Sequence, residues 1–180
     1  MTPLLEGRAR RFGDDVNTDY IISSARKKET LDESLLKKYL LETVDPSFAA
    51  TVQPGDLIVA GRNFGCGSAM EVAATVILAA GIRAVIAESY SRTFYRNAVN
   101  NGLMPIECDT SKIAEGDAIV VTAFGRGVRV LDRTSGDAEA GAIPSGIAAK
   151  ILEAGGLVGY LRKNGSLSSG ATARAPSRIS

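Results

Sequence analysis

The sequence predicts a mixed α/β domain, and three features support this. Four-residue aliphatic runs at 57–60 and 84–87 have the length and composition of strands buried on both faces. Each run is followed by an apolar or amphipathic segment of helical length that stops at a glycine. This strand–helix–strand order favours parallel pairing of the two runs. We therefore expect a mixed sheet core with flanking helices.

The elements up to the first helix after a buried run can be predicted in order. Residues 13–19 are acidic and turn-rich and predict a loop. A helix is expected over 33–43, because Asp32 suits an N-cap and apolar side chains recur at helical spacing after it. A glycine-rich segment at 61–70 then separates the first buried run from a buried helix over 71–80.

Further elements complete a single domain. A second helix is expected over 91–101 and a third over 147–153, each closed by glycine. After residues 103–107, two strands are expected at 117–123 and 127–131, on either side of residues 124–126. The stretch from 164 to 180 has almost no large apolar side chain, so we expect residues 1–163 to form the domain and 164–180 to be a disordered tail.

Composition excludes several classes of function. With 21 basic and 20 acidic residues among 180 and no basic run, a nucleic-acid partner is not expected. No apolar stretch approaches the roughly 18 residues of a membrane span, and the first residues do not resemble a signal peptide, so we expect a cytoplasmic protein with no membrane partner. The chain has no histidine and two cysteines, so it cannot supply a Ser–His pair or a four-thiolate cluster.

The segment GRNFGCGSAME at 61–71 carries the strongest chemical signal. It lacks the lysine of a phosphate-binding loop and the glycine spacing of a dinucleotide loop. Backbone N–H groups and the hydroxyl of Ser68 near the start of a helix would suit a carboxylate or a developing oxyanion. The alternative is that Ser68 only caps the helix and the glycines only shape a turn.

Three ordered blocks resemble one family. They read GDDVNTD at 13–19, NFGCGS at 63–68 with Glu71, and AESYSRTFYRN at 87–97 followed by NGL. Together they are similar to the small subunit of 3-isopropylmalate dehydratase and homoaconitase, over roughly residues 6–161. The resemblance implies a swivelling β/β/α domain, equivalent to the mobile last domain of aconitase.

The resemblance also implies a function and a partner. Members of this family dehydrate and rehydrate a 2- or 3-hydroxy di- or tricarboxylate, and are active only with a large subunit that holds a 4Fe-4S cluster. On this basis the chain itself binds no cofactor or metal, contributes to leucine biosynthesis as a 3-isopropylmalate dehydratase-like hydro-lyase, and forms at most homo-oligomers in isolation. A non-catalytic regulatory paralogue is the alternative.

The resemblance assigns roles to particular residues. Ser68 matches the family's base, which removes a carbon-bound proton as an alkoxide. Asp19 matches an aspartate near the substrate, where it either orients a proton-carrying group or caps a neighbouring loop. The substrate is further expected to be lined by Thr18, Gly65, Cys66 and Gly67. Of these, Cys66 is expected to be a small buried thiol and not a cluster ligand.

The chain departs from the family pattern at two places. The family usually has an arginine that clamps a substrate carboxylate where this chain has Met70. Either another basic residue, such as Arg62, replaces it, or the substrate is another diacid, such as dimethylmalate, methylmalate, maleate or homoaconitate. The family loop that senses the substrate side chain is cationic here, at 23–30, where Arg26 and Lys27 either bind an anionic substrate or are simply solvated.

Overall fold

A seven-stranded mixed sheet forms the centre of the protein. In the computed structural model, which describes residues 3–165, the strands are β1 Leu5–Arg11, β2 Leu57–Ala60, β3 Ala84–Ala87, β4 Met104–Glu107, β5 Ala118–Phe124, β6 Gly127–Asp132 and β7 Ala138–Gly141. Their order across the sheet is β4-β3-β2-β1-β5-β6-β7. Strands β1 to β4 are mutually parallel, whereas β5, β6 and β7 are antiparallel to their neighbours. The predicted mixed sheet with flanking helices is confirmed.

The two outer strands of this sheet also meet. Glu107, the last residue of β4, exchanges backbone hydrogen bonds of 2.9 Å and 2.8 Å with Ala142, which directly follows β7. Pairing at this point covers backbone groups that an open sheet would leave at its edges. The sheet therefore curls, and its inner face encloses an apolar core.

Helices cover the outer face of the parallel half. The four helices that precede the glycine-rich segment are short, and the four that follow it are longer. Their bounds are α1 Thr18–Ile21, α2 Ser24–Glu29, α3 Glu33–Leu36, α4 Phe48–Thr51, α5 Glu71–Ala79, α6 Arg92–Asn101, α7 Ile147–Glu153 and α8 Leu157–Asn164.

Strand β2 shows why its sequence is continuously apolar. Leu57 and Val59 point into the core enclosed by the curled sheet, and Ile58 and Ala60 point into the core beneath the helices. All four side chains are buried, which confirms the prediction of a strand covered on both faces. This rigid strand positions the glycine-rich segment that follows it.

The structure corrects the helix predicted over 33–43. Asp32 caps α3 as expected, but the helix ends at Leu36 and only a 3-10 turn, Lys37–Tyr39, continues it. Leu41 then takes a φ of 57° and its N–H bonds to the Ile21 carbonyl at 2.9 Å. Leu40 and Leu41, which form this turn, are both fully buried in the core beneath the helices.

Other differences concern short elements. The loop predicted at 13–19 becomes helical at Thr18, and the segment expected to be a basic loop forms α2. Strand β7 and helix α8 carried no clear signal. Helix α8 extends to Asn164, and Gly165 closes it with a φ of 69°, while the division into a domain at 1–163 and a tail at 164–180 stays a prediction. The remainder of that tail lies outside the described residues. Within residues 3–165 no helix is long and apolar enough to cross a membrane.

Candidate active site

Two of the sequence blocks lie side by side at one edge of the sheet. Because β1 and β2 are neighbouring parallel strands, the segments after them leave the sheet in the same direction. They continue the strand pairing: Gly65 N–H donates to the Val16 carbonyl, and Thr18 N–H donates to the Cys66 carbonyl, both at 2.8 Å. The Asn-Thr-Asp and Gly-Cys-Gly-Ser motifs are thus joined through their backbones.

The third block joins the second from the other side. Phe64 N–H donates to the Ser89 carbonyl, and Ser91 N–H donates to the Phe64 carbonyl, both at 3.0 Å. The Ser91 hydroxyl donates to the Gly65 carbonyl at 2.7 Å and also accepts from Phe94 N–H as the N-cap of α6. All three blocks that carry the family resemblance therefore meet at one place.

Two glycines in the site segment are sterically required. Gly65 has a φ of 76°, and a Cβ there would overlap the Phe94 ring. Gly67 has a φ of 93°, and a Cβ there would overlap the side-chain amide of Asn17. Both backbone conformations are ones that glycine adopts without penalty. The close approach of 13–19 to 61–68 depends on these positions.

Ser68 lies at the surface with its hydroxyl accessible. Its carbonyl accepts a hydrogen bond of 2.9 Å from the hydroxyl of buried Thr18, and within residues 3–165 its own hydroxyl has no hydrogen-bond partner. Helix α5 starts three residues later, with Met70 as N-cap and no side-chain cap. The alternative that Ser68 caps the helix is therefore wrong.

Asp19 is half-buried and links α1 to α2. Its N–H donates to the Asn17 side chain at 2.9 Å, and its Oδ1 accepts from the Ser24 hydroxyl at 2.8 Å. Asn17 was missed as a site residue by sequence reasoning, although an Asn two residues before an Asp is typical of an Asx turn. Within the described residues Asp19 Oδ2 accepts no hydrogen bond.

Cys66 is half-buried in the same segment. Burial raises the pKa of its thiol, and the charge of Asp15 raises it further. The thiol is thus protonated at neutral pH and is a poor nucleophile. Its contribution to the site is its backbone carbonyl, which holds Thr18.

Two of the three candidate cations are neutralised within the chain. Arg62 donates to Asp14 Oδ2 through Nη2 at 2.9 Å, and its backbone N–H donates to Asp14 Oδ1 at 2.8 Å. These hydrogen bonds, the backbone one foremost, lower the pKa of Asp14. Arg26 donates to Glu42 at 2.8 Å and stacks 3.8 Å above the Tyr39 ring. Both guanidinium groups already have carboxylate partners.

Lys27 is the third candidate cation, and its surroundings differ. This half-buried side chain directs its Nζ onto the thioether sulfur of Met70. No carboxylate of the described residues forms a salt bridge with it. The Lys27 side chain therefore contacts Met70, the residue that stands where the resemblance called for an arginine.

Arg92 and Arg96 belong to a separate depression. A cavity of about 460 Å³ between α6 and α7 is lined by both arginines, by Tyr95 and Val99, and by Ile147 and Ile151. None of the residues that line it comes from the Ser68 segment. Both arginines belong to the third block, but their side chains line a cavity to which residues 61–68 contribute nothing.

The described residues include no group of three or more histidine, cysteine, aspartate or glutamate side chains placed to hold a metal ion. Cys66 lies in the site segment, whereas Cys108 is buried in the core inside the curled sheet, where burial raises the pKa of its thiol to about 12. The donor set of this chain does not fit an iron–sulfur cluster.

Comparisons with known proteins agree with the three joined blocks. Residues 16–111 match the aconitase C-terminal domain family. The methanogen homoaconitase small subunit of Methanocaldococcus jannaschii is 42% identical over 160 residues, 89% of this chain and 92% of that protein. The isopropylmalate/citramalate isomerase small subunit of the same organism is 42% identical over 165 residues, 91% of this chain and 96% of that protein.

A solved structure extends the agreement to the fold. The crystal structure of 3-isopropylmalate dehydratase from M. jannaschii superposes with a TM-score of 0.85 at 42% identity, covering 89% of this chain and 95% of that chain. Sequence, fold and the meeting of the three blocks thus lead to one conclusion: the chain belongs to the aconitase C-terminal domain family, among the small subunits of 3-isopropylmalate dehydratases and homoaconitases.

Proposed function

We propose that this chain is the small subunit of an aconitase-type hydro-lyase that acts on a 2- or 3-hydroxy dicarboxylate or tricarboxylate, with Ser68 as the base. The observation that carries the proposal is the convergence of three separate sequence blocks on a surface where the Ser68 hydroxyl stands free. This exposed hydroxyl makes no hydrogen bond within residues 3–165, so a ligand can bind it without breaking one. Ser68 is instead held by its carbonyl, which leaves the hydroxyl for a ligand.

The proton chemistry assigned to Ser68 is simple to write. Its Oγ, as an alkoxide, takes a proton from a substrate carbon, and the C–H electron pair forms a double bond as hydroxide leaves the neighbouring carbon. In the reverse direction the proton returns from Ser68 to carbon and hydroxide adds to the adjacent carbon. The backbone N–H groups of Gly67 and Ser68, which make no hydrogen bond within residues 3–165, are suited to stabilise the alkoxide once a partner excludes water.

The remaining chemistry belongs to a partner. Because this chain lacks a donor set for an iron–sulfur cluster, we propose that a large subunit holds the 4Fe-4S cluster, which supplies the Lewis acid of this reaction class. The relatives are named as small subunits, which supports a heteromeric assembly. The exposed position of Ser68 suits a site that is completed by another chain.

The substrate is proposed at the level of its class. The names of the relatives include homoaconitase and isopropylmalate/citramalate isomerase, so similar chains are named for more than one diacid. Asp19 and the backbone of 65–67 are proposed to face the reacting carbons, and Thr18, whose side chain is buried, is proposed to hold the Ser68 backbone in place. Arg26 and Arg62 are proposed to shape the edge of the site without binding substrate directly, because each already donates to a carboxylate of this chain, Glu42 and Asp14 respectively.

The test is a hydration assay of the complex with its large subunit. The two chains are co-expressed and purified together, and a panel of unsaturated diacids is followed by loss of the absorbance of the conjugated double bond. The Ser68→Ala complex is expected to lose about 10²- to 10⁴-fold in kcat, because the proton acceptor is gone. Ser145→Ala is the matched control, since Ser145 is also exposed but lies just before α7.

Two results would contradict the proposal. A complex that hydrates none of the diacids would favour a non-catalytic regulatory paralogue. A Ser68→Ala complex as active as the Ser145→Ala complex would remove Ser68 as the base while leaving a hydro-lyase.

A further inference from the structure

We propose that the cavity between α6 and α7, here called the α6–α7 cavity, is a second ligand site of this chain and takes an aliphatic monocarboxylate. The inference goes beyond the proposed function, because none of the residues that line this cavity belongs to 61–68. Its volume of about 460 Å³ lies within the range of about 300–1,000 Å³ that is usual for small-molecule sites.

One wall of the α6–α7 cavity is apolar and packed. Val99 of α6 and Ile151 of α7 line it, and both are buried in a small apolar cluster with Tyr160 of α8. Ile147, the first residue of α7, also lines the cavity and is 40% exposed. An aliphatic group that covers Ile147 would remove apolar surface from water, which favours binding.

A second wall is aromatic and carries a hydrogen-bond donor. The Tyr90 hydroxyl donates to the Val85 carbonyl at 2.6 Å, which fixes its ring, and the Tyr95 ring meets that ring edge-on at a centroid distance of 5.8 Å. Burial, and to a smaller extent the charge of Glu107, raises the pKa of Tyr95. Its phenol is therefore protonated at neutral pH and can donate to an anion.

The charged side chains of the cavity favour a ligand with one negative charge. Arg92 and Arg96 lie one helical turn apart on α6 and both line the cavity, and neither forms a salt bridge within the described residues. An incoming carboxylate can therefore bind them without breaking an ion pair of this chain. Glu107 also lines the cavity, so two positive charges and one negative charge leave a net charge of +1. A second carboxylate on the ligand would be repelled by Glu107.

This charge balance separates the two ligand classes. The substrates proposed for the site at Ser68 carry two or three carboxylates, whereas the α6–α7 cavity offers a favourable place for one. The aliphatic body of the ligand would occupy the apolar wall, and its carboxylate would bind at the arginines of α6.

The experiment is an NMR titration of the full chain with 4-methylpentanoate, and with 4-methylpentanamide as the neutral analogue of the same shape. The carboxylate is expected to bind with a Kd of about 0.1–1 mM, as suits so small a ligand. It is expected to shift the backbone amide signals of 92–100 and 147–151 and not those of 65–68. The amide is expected to bind about tenfold more weakly, because it makes no ion pair. Glutarate is expected to bind more weakly than 4-methylpentanoate, because its second carboxylate faces Glu107.

Substitutions in the full chain assign the binding to the two walls. Arg92→Gln and Arg96→Gln are each expected to raise the Kd of 4-methylpentanoate about three- to tenfold, because one ion pair at a water-exposed position is lost. Arg126→Gln is the matched control, since Arg126 is exposed between β5 and β6 and does not line the cavity. Ile147→Ser is expected to raise the Kd about threefold, with exposed Val158→Ser on α8 as its control.

The inference is overturned if 4-methylpentanoate does not bind, if the amide binds equally well, or if both α6 variants bind as the Arg126→Gln chain does. Signals that shift at 65–68 in place of α6 and α7 would also overturn it. The titration is repeated on the complex with the large subunit, by ligand-observed NMR. Binding to the chain alone but not to the complex would mean that the partner covers this cavity, which again overturns the inference. Because the readout is binding, a complex that hydrates no diacid would count against the proposed function only.

Discussion

The hydroxyl of Thr18 is expected to fix the position of the base. It is buried and donates to the Ser68 carbonyl at 2.9 Å, while the Thr18 N–H donates to the Cys66 carbonyl at 2.8 Å. Thr18→Val keeps the backbone bond and nearly the same side-chain shape but removes the hydroxyl. The substitution therefore tests one hydrogen bond to the residue that carries the reacting group.

The magnitude follows from the geometry. A hydrogen bond between uncharged groups contributes about 0.5–1.5 kcal/mol, and water can reach the Ser68 carbonyl once the bond is lost, so about 1 kcal/mol of unfolding free energy is at stake. For a chain of this size that is a decrease in Tm of about 2–4 °C. Catalysis is more sensitive, since a displacement of about 1 Å at a reacting group costs up to about 100-fold in rate.

Thermal unfolding of the chain and kcat of the complex are the two readouts. Thr18→Ser retains the hydroxyl and is expected to recover kcat to within about threefold, although it loses a buried methyl worth about 0.8 kcal/mol. Thr122→Val, on β5, is the control without a site contact. If Thr18→Val lowers Tm as calculated but leaves kcat unchanged, the bond contributes only to folding, and the positioning role of Thr18 is refuted.

Two further substitutions test the frame of the site. Gly67→Ala is expected to lower kcat about 100-fold, because its Cβ would displace Asn17. Gly116→Ala is the control, since Gly116 has a similar φ of 88° but open space around it, so this substitution introduces backbone strain alone. Equal kcat values for the two variants would contradict the steric explanation. Asp56→Asn is expected to cost about 3 kcal/mol, because Asp56 is buried against Arg8 at 3.0 Å and Arg10 at 3.4 Å. Burial alone would raise the pKa of Asp56, but hydrogen bonds from Arg8, Gln53 N–H and Arg10 lower the pKa overall. The wild type therefore loses this stability as pH falls below about 4, whereas the Asp56→Asn variant does not. Urea unfolding at a series of pH values measures the difference, with exposed Asp137→Asn as the control.

The parts of the fold that the sequence predicted well are those with continuous local signals. Strands β2 and β3 are four-residue aliphatic runs, and α6 has a serine cap and a closing glycine, so each could be located within a residue or two. The helix expected over 33–43 failed because the chain turns at Leu41, whose φ is 57° and whose N–H bonds to the distant Ile21 carbonyl, while Leu40 and Leu41 pack into the core. Tertiary burial overrode helical spacing there.

The site was predictable as a set of motifs but not as a set of contacts. Segments 13–19 and 61–68 meet because β1 and β2 are parallel neighbours. The strand–helix–strand order in the sequence predicts parallel pairing only for β2 and β3. The pairing of Arg26 with Glu42 and of Arg62 with Asp14 spans 16 and 48 positions, and no local pattern encodes it. The contact of Lys27 with Met70 is of the same kind.

The segment that carries Ser68 and the segment 23–30 beside it are held in different ways, so residues in 23–30 can be substituted while Ser68 keeps its position. Ser68 lies in a segment tied by backbone bonds to 13–19 on one side and to Ser89 and Ser91 on the other. Within the described residues, segment 23–30 reaches that frame through side chains, from Ser24 to Asp19 and from Lys27 to Met70. Substitutions in 23–30 therefore alter the charge offered to the ligand without moving the backbone that holds Ser68. We expect substitutions in 23–30 to change ligand binding more than they change the position of Ser68.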